Sequence, residues 1–395
     1  MYKIEKIKGG VCAAKGFFAS GIAAGLKGND ALDVAFIYSP DLCDVAAKFT
    51  TNKMQAAPIR HFKQEKITQT NFILVNSKNA NAMTGTKGVA DIKEILQEVK
   101  KRHTNIFSPI MSSTGVIGVR LPKEKIIQGA KQFDLTQKEP SKAAHAIMTT
   151  DTFAKESAYE VTLKNGQSFR VGAMAKGAGM INPAMATMLC FITTDADITQ
   201  EEMQAALDEL TPQTFNAISV DGDTSTNDTV LLLSNKKSGS YDKEAFKEAL
   251  GALMLELAKM MVKDGEGATK LVTFRITGAA NDQDAQTIAK ALTNSLLVKT
   301  ALYGEDPNWG RIASTVGASG AEAYEEKLRI CFEDLCVYDR GEIHFDTKME
   351  QAAAAIMKRD EFVISCDLGI GDGAFEAYGC DLGYEYVKIN ADYRT

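Results

Sequence analysis

Apolar positions along this chain follow two rhythms. Short runs rich in β-branched and aromatic residues predict strands at 34–38, 72–75, 159–163, 188–193, 229–233, 272–276, 328–332 and 362–366. Apolar residues at steps of three and four predict helices. The clearest covers 242–262, where Phe246, Leu250, Met254, Leu257 and Met261 share one face. Weaker helical periodicity covers 287–298 and 348–358, and 201–210 is amphipathic with Thr199 available as its N-cap. Strand and helix signals alternate loosely, so the class is α+β or α/β. No repeat of fixed period appears, and no Pro- or Ser-rich linker marks a domain boundary.

Glycine breaks the pattern in a few places. Gly369-Ile-Gly371-Asp-Gly373-Ala374 fits a loose GxGxxA and follows a strand signal. The residues after it, 376–388, read as strand, so no helix N-terminus would meet a pyrophosphate there. The stretch 262–268, VKDGEGA, reads on spacing as a helix stop with Gly265 at C′. A GxxxxGK[ST] phosphate loop is absent from the sequence.

Composition narrows the field. At 395 residues, 45% hydrophobic and 24% charged, the chain has the make-up of a soluble globular protein. Its net charge of −6, without a dense Lys/Arg patch, argues against a nucleic-acid partner. Seven cysteines include no CxxC pair, and four histidines lie far apart, so neither a structural zinc site nor a disulfide framework is expected. Reduced cysteines suit the cytoplasm. The N-terminal MYKIEKIKGG has no apolar core of a secretory signal, and no apolar run is long enough for a membrane helix.

Candidate chemistry is sparse. No GxSxG elbow occurs, and the hydroxyl-rich segments 112–115 and 225–229 read as turns and caps. The segment 176–189, KGAGMINPAMATML, is different, because glycine-rich chain leads through Pro183 to Ala186 and then enters an apolar strand at Thr187. A small residue before a threonine at a strand head suits an N-terminal-threonine enzyme. The hydroxyl attacks the preceding carbonyl, water opens the resulting ester, and the freed α-amine becomes a built-in base. Such an amine titrates at about 7.7–8.0, so part of it is neutral at physiological pH without any histidine. An ordinary loop entering a strand is the competing reading.

That segment resembles the self-cleavage segment of the ornithine acetyltransferase (glutamate N-acetyltransferase) family of arginine biosynthesis. The resemblance extends, in family order, through FTTNKMQAAP (49–58), NSKNANAMTG (76–85), SSTGVIG (112–118) and IMTTDTFAK (147–155). It continues through SVDGDTSTND (219–228), KDGEGATK (263–270), DPNWGRI (306–312) and YVKINADYRT (386–395). The family resemblance implies an α+β fold with mixed sheets stacked between helices in αββα layers. It further implies cleavage between Ala186 and Thr187, giving an α chain of 1–186 and a β chain of 187–395 that pair and assemble as an α2β2 heterotetramer. Thr187 would be the nucleophile, and Thr114 and Gly115 the oxyanion hole. Thr150, Lys176, Thr187, Glu266, Asn390 and Thr395 would bind substrate. The implied reaction is ping-pong transfer of the acetyl group from N2-acetylornithine to glutamate, with no metal or organic cofactor. Some members also use acetyl-CoA, a point the sequence leaves open.

Two positions depart from the family pattern. Lys78 stands where the family usually has glycine, and Ala184 where it often has asparagine, close to the cut. Two other readings stand beside the transferase: an N-terminal-nucleophile amidohydrolase or aminopeptidase on the same scaffold, and an uncleaved relative kept as a binding or regulatory protein.

Overall fold

A computed structural model describes residues 2–182 and 188–392. The architecture is α+β, built on two mixed sheets. The larger one runs in the order Lys3–Lys6, Lys155–Thr162, Ser168–Lys176, Leu189–Thr194, Thr229–Ser234, Val34–Phe49, Gln69–Asn76 and Ile110–Ser113, with Phe18–Ile22 also paired to Val34–Phe49. The smaller one runs Glu342–Ile343, Leu335–Asp339, Arg329–Phe332, Glu361–Asp367, Leu271–Ala279, Gly373–Cys380 and Ile218–Ser219. All eight strands predicted from the sequence are present, mostly longer than their apolar cores.

Alternation sorts the strand residues between cores. Along Thr229–Ser234, Val230 and Leu232 join one apolar cluster while Leu231 and Leu233 join another. This strand is therefore covered on both faces, which is why it reads as a continuous apolar run rather than an alternating one. The helix Lys243–Lys263 buries Phe246, Leu250, Leu253, Met254, Leu257 and Met261 in one cluster with Val171 and Ile192 of the larger sheet and Tyr378 and Cys380 of the smaller. Each such side chain contributes about 1.5–3 kcal/mol by leaving water. Asp242 caps this helix through Ala245 N. Thr199 caps Gln200–Leu210 in a reciprocal capping box with Glu202, as its sequence position predicts.

Three expectations need correction. The helical signal at 287–298 belongs to two helices, Asp282–Asn294 and Leu296–Tyr303, because Ser295 leaves helical geometry and its hydroxyl caps Val298 N. The strand signal at 376–388 ends at Cys380, and Tyr384–Asp392 is a helix. That helix buries none of its residues, so no apolar face was there to give a helical period. Cys331 and Cys336 are joined by a disulfide across the hairpin of Arg329–Phe332 and Leu335–Asp339, where register places them opposite each other. This is one local staple rather than a framework. Among the described residues no helix is long and apolar enough to cross a membrane.

Candidate active site

Three neighbouring strands of the larger sheet bring their ends together. Lys176, last in its strand, pairs with Leu189, which on its other side pairs with Thr229. Met188 and Asp228 stand just before those two strand heads, and Asp228 Oδ1 accepts a hydrogen bond from Met188 N at 3.1 Å. The residue immediately preceding Met188 is Thr187. Thr187, with Ala186, Ala184 and the chain-terminal Thr395, lies outside the described residues.

A cavity of about 220 Å³ opens at these strand ends. Thr114, Gly115, Thr150, Lys176, Glu266 and Asn390 all line it, so every described residue singled out by the sequence reaches one site. The chain brings them from five separate segments. Gly115 has φ of +127°, and a Cβ there would lie 2.2 Å from the backbone carbon of Lys78, so only glycine fits between the two loops.

Lys176 is 2% exposed, and its Nζ donates to Thr149 Oγ1 at 2.7 Å and lies 3.7 Å from Asp151 Oδ2. Asp151 also takes Lys155 Nζ at 2.8 Å and Gly177 N at 2.7 Å, while Lys155 reaches Asp264 as well. Two buried cations thus alternate with two buried carboxylates. Burial alone would raise the Asp151 carboxyl, but Lys176 and Lys155 outweigh it and hold it well below the usual carboxylate range. Burial lowers the Lys176 ammonium from its ordinary value, and Asp151 offsets part of that.

Across the cavity lining, the charge is negative. Glu266 follows the end of the helix Lys243–Lys263, its Oε2 accepting from Asn390 Nδ2 at 2.8 Å. Asp221 accepts from Met180 N at 2.6 Å and Ile181 N at 2.8 Å, and burial raises its carboxyl from the ordinary value. Tyr386 joins them, its phenol raised first by burial and then by Asp221 and Glu266. One ammonium set against several carboxylates suits a ligand that carries both charges.

Sequence reasoning missed Asp221, Asn227 and Tyr386. Asn227 Nδ2 donates to Ala80 O at 2.7 Å and Ser113 O at 2.8 Å, fastening the end of the strand Ile110–Ser113, just before Thr114, to the loop around Ala80. The signal was in hand, since 219–228 and 386–395 both stood out as motifs, but their turn-like composition gave no individual residue a job. A larger depression of about 770 Å³ bounded by His61, Glu65, Lys93 and Lys100 lies elsewhere, among solvated surface charges. Among the described residues no group of three or more His, Cys, Asp or Glu is placed to hold a metal.

The sequence model of the ArgJ family matches residues 18–395. The chain is 59% identical to the arginine biosynthesis bifunctional protein ArgJ of Wolinella succinogenes, over 100% of both chains. It is 42% identical to the glutamate N-acetyltransferase of Methanothermobacter thermautotrophicus, again over 100% of both. A crystal structure of the Bacillus halodurans arginine biosynthesis bifunctional protein ArgJ matches at 44% identity with a TM-score of 0.49, covering 51% of this chain and 97% of that one.

Proposed function

The chain belongs to the ArgJ family, and from that premise we propose that it transfers the acetyl group of N2-acetylornithine to glutamate through an acetyl-Thr187 intermediate. It first cuts itself between Ala186 and Thr187, so that residues 1–186 and 187–395 persist as paired α and β chains, two of each in an α2β2 assembly. The Thr187 hydroxyl attacks the acetyl carbonyl while its own α-amine takes the hydroxyl proton. Thr114 and Gly115 donate to the oxyanion, and the tetrahedral intermediate collapses as the α-ammonium returns the proton to the departing ornithine nitrogen. Glutamate enters the emptied pocket, its α-amine attacks the acetyl ester, and Thr187 is regenerated. Lys176 faces the substrate carboxylate and Glu266 the ornithine ammonium, with Thr150, Asn390 and Thr395 completing the pocket. The reaction needs no metal or organic cofactor, the compartment is the cytoplasm, and acetyl-CoA as a second acetyl donor is the point left to experiment.

One observation carries this reading: Thr114, Gly115, Thr150, Lys176, Glu266 and Asn390 line a single cavity, and Lys176 pairs across the sheet with Leu189, two residues after Thr187. Intact mass and N-terminal sequencing of purified protein test its first half. Two chains are expected, one beginning Thr-Met-Leu-Cys. Acetyl transfer to glutamate, absent in Thr187→Ala, tests the second. Release of free acetate instead of acetylglutamate would favour an amidohydrolase, and a chain that stays whole and inactive would favour a binding protein. Acetylglutamate formed from acetyl-CoA and glutamate alone checks the second donor.

A further inference from the structure

Lys155 is fully buried at the start of the strand Lys155–Thr162, and the proposed reaction gives it no task. Its ammonium lies between two carboxylates, donating to Asp151 Oδ1 at 2.8 Å and to Asp264 Oδ2, and all of these side chains are at most 1% exposed. Phe153 O accepts a longer contact at 3.4 Å, so each of the ammonium protons has an acceptor. Well-packed apolar side chains fill such a place without the desolvation that buried charges suffer. Stability alone is therefore a weak reason for the arrangement.

The segments it joins supply a better one. Asp151 belongs to the Lys176 end of the cavity. It accepts from Gly177 N at 2.7 Å and from Thr149 N at 3.0 Å, and lies 3.7 Å from Lys176 Nζ. Asp264 belongs to the Glu266 end, where it follows the helix Lys243–Lys263 and stands two residues before Glu266. Its carboxylate accepts from Thr152 N at 3.0 Å and from the Thr152 hydroxyl. Glu266 N closes the frame by donating to Ala178 O at 2.8 Å. Lys155 thus ties together the segments 149–155, 176–178 and 264–266, which carry Thr150, Lys176 and Glu266. Hydrogen bonds between charged groups are roughly twice as strong as neutral ones, and a buried network with every member satisfied holds one arrangement.

We propose that Lys155 is a positioning residue, and that the chain Asp151–Lys155–Asp264 fixes the span between Lys176 and Glu266, so that the pocket selects the length of the side chain that separates a substrate's carboxylate from its ammonium. The inference rests on the reading of Lys176 as the partner of that carboxylate and Glu266 as the partner of that ammonium. With the span fixed, a substrate one methylene longer or shorter than acetylornithine gives up one of its two charged contacts. A pocket whose two ends moved freely would follow the ligand and discriminate little.

Asp264→Asn keeps the volume and an acceptor for Thr152 N while removing the charge that holds Lys155. In the full chain, with glutamate as acceptor, kcat/KM is measured for N2-acetylornithine and for its homologues one methylene longer, N2-acetyl-lysine, and one shorter, N2-acetyl-2,4-diaminobutyrate. The wild type is expected to prefer acetylornithine by about tenfold or more over each, and Asp264→Asn to cut that preference by about fivefold or more. A merely structural role lowers all the rates together and leaves their ratios standing. A wild type without that preference, or a folded Asp264→Asn protein that loses less than about fivefold of it, overturns the proposal. Should Asp264→Asn fail to fold, Thr152→Val, which takes one hydroxyl from Asp264, carries the same test: a preference lower by about threefold or more is expected, and a smaller change overturns the proposal. Glu266→Gln keeps the two failures apart. If it retains the wild-type KM and preference, the reading of Glu266 as the ammonium partner falls; if it loses the preference while Asp264→Asn keeps it, only the role of Lys155 falls.

Discussion

The Glu266 carboxylate occupies the space that a side chain at Gly179 would need. A Cβ built on Gly179 lies 2.4 Å from Glu266 Cδ and 2.5 Å from both carboxylate oxygens. Gly179 belongs to the glycine-rich stretch that leads to Thr187, so the chain before the proposed nucleophile is shaped by the group proposed to meet the substrate ammonium. Gly179→Ala forces aside the far end of a flexible side chain rather than backbone, and the protein is expected to fold. Losing one charged contact costs about 1.5–3 kcal/mol, so KM for acetylornithine should rise roughly tenfold to a hundredfold. Steady-state kinetics check this, and an unchanged KM would mean that Glu266 does not meet the substrate.

The buried alternation of Lys176, Asp151, Lys155 and Asp264 has a signature in acid. Asp151 titrates near 3.9 when unfolded, and the two lysines hold it lower in the fold. The unfolded chain therefore binds the proton first as pH falls. The Asp151 contribution is fully present above about pH 5 and is lost as pH drops through the folded value. Urea midpoints between about pH 5 and 3 should decline more steeply for the wild type than for Asp151→Asn. Lys155→Met, which takes the buried cation from Asp264 and leaves Asp151 with Lys176 alone, should cost about 3–5 kcal/mol at neutral pH. Equal slopes for wild type and Asp151→Asn would show that other carboxylates carry the acid sensitivity.

Gly115 meets backbone where Gly179 meets a side-chain tip, and the consequence differs. A Cβ at Gly115 would sit 2.2 Å from Lys78 C and 2.5 Å from Asn79 N, with φ already at +127°. Neither partner can rotate away, so Gly115→Ala must move one loop against the other and displace the oxyanion donors proposed at Thr114 and Gly115. Loss of one oxyanion donor costs about 10²–10³ in rate. Gly115→Ala is expected to lose at least that in kcat, in self-cleavage or in both. Lys78 shares this contact through its main chain, so its departure from the family pattern leaves the close approach intact, and Lys78→Gly should retain normal turnover.

How much of this was legible beforehand depended on what kind of force shapes each part. Strands such as Thr229–Ser234 and the helix Lys243–Lys263 announce themselves because burial dictates their residue pattern. The helix Tyr384–Asp392 was missed because nothing in it is buried, and the break at Ser295 because one cap outweighs a continuing apolar rhythm. Motifs named the residues whose side chains would meet a ligand. They did not name Asn227 or Asp228, whose work is to grip the backbone of Ser113, Ala80 and Met188. Such contacts depend on which strand ends lie side by side, and pairing order leaves no local mark on the sequence.

The Cys331–Cys336 bond is the feature the sequence argued against, and its effect can be bounded. The two cysteines are five residues apart in one hairpin, so the loop they close is short and the entropy removed from the unfolded chain is small, worth about 2 kcal/mol. The hairpin forms part of the smaller sheet, and neither cysteine lines the candidate cavity. The remaining described cysteines are free, four of them buried. Dithiothreitol, or the Cys331→Ser/Cys336→Ser double variant, is therefore expected to lower Tm by only a few degrees and to leave kcat and KM for acetyl transfer unchanged. The same protein purified from a reducing cytoplasm should fold and cut itself with both thiols reduced, as thiol counting under denaturing conditions would record. A large loss of activity on reduction, with Tm held, would instead tie the smaller sheet to the active site and make this hairpin part of its control.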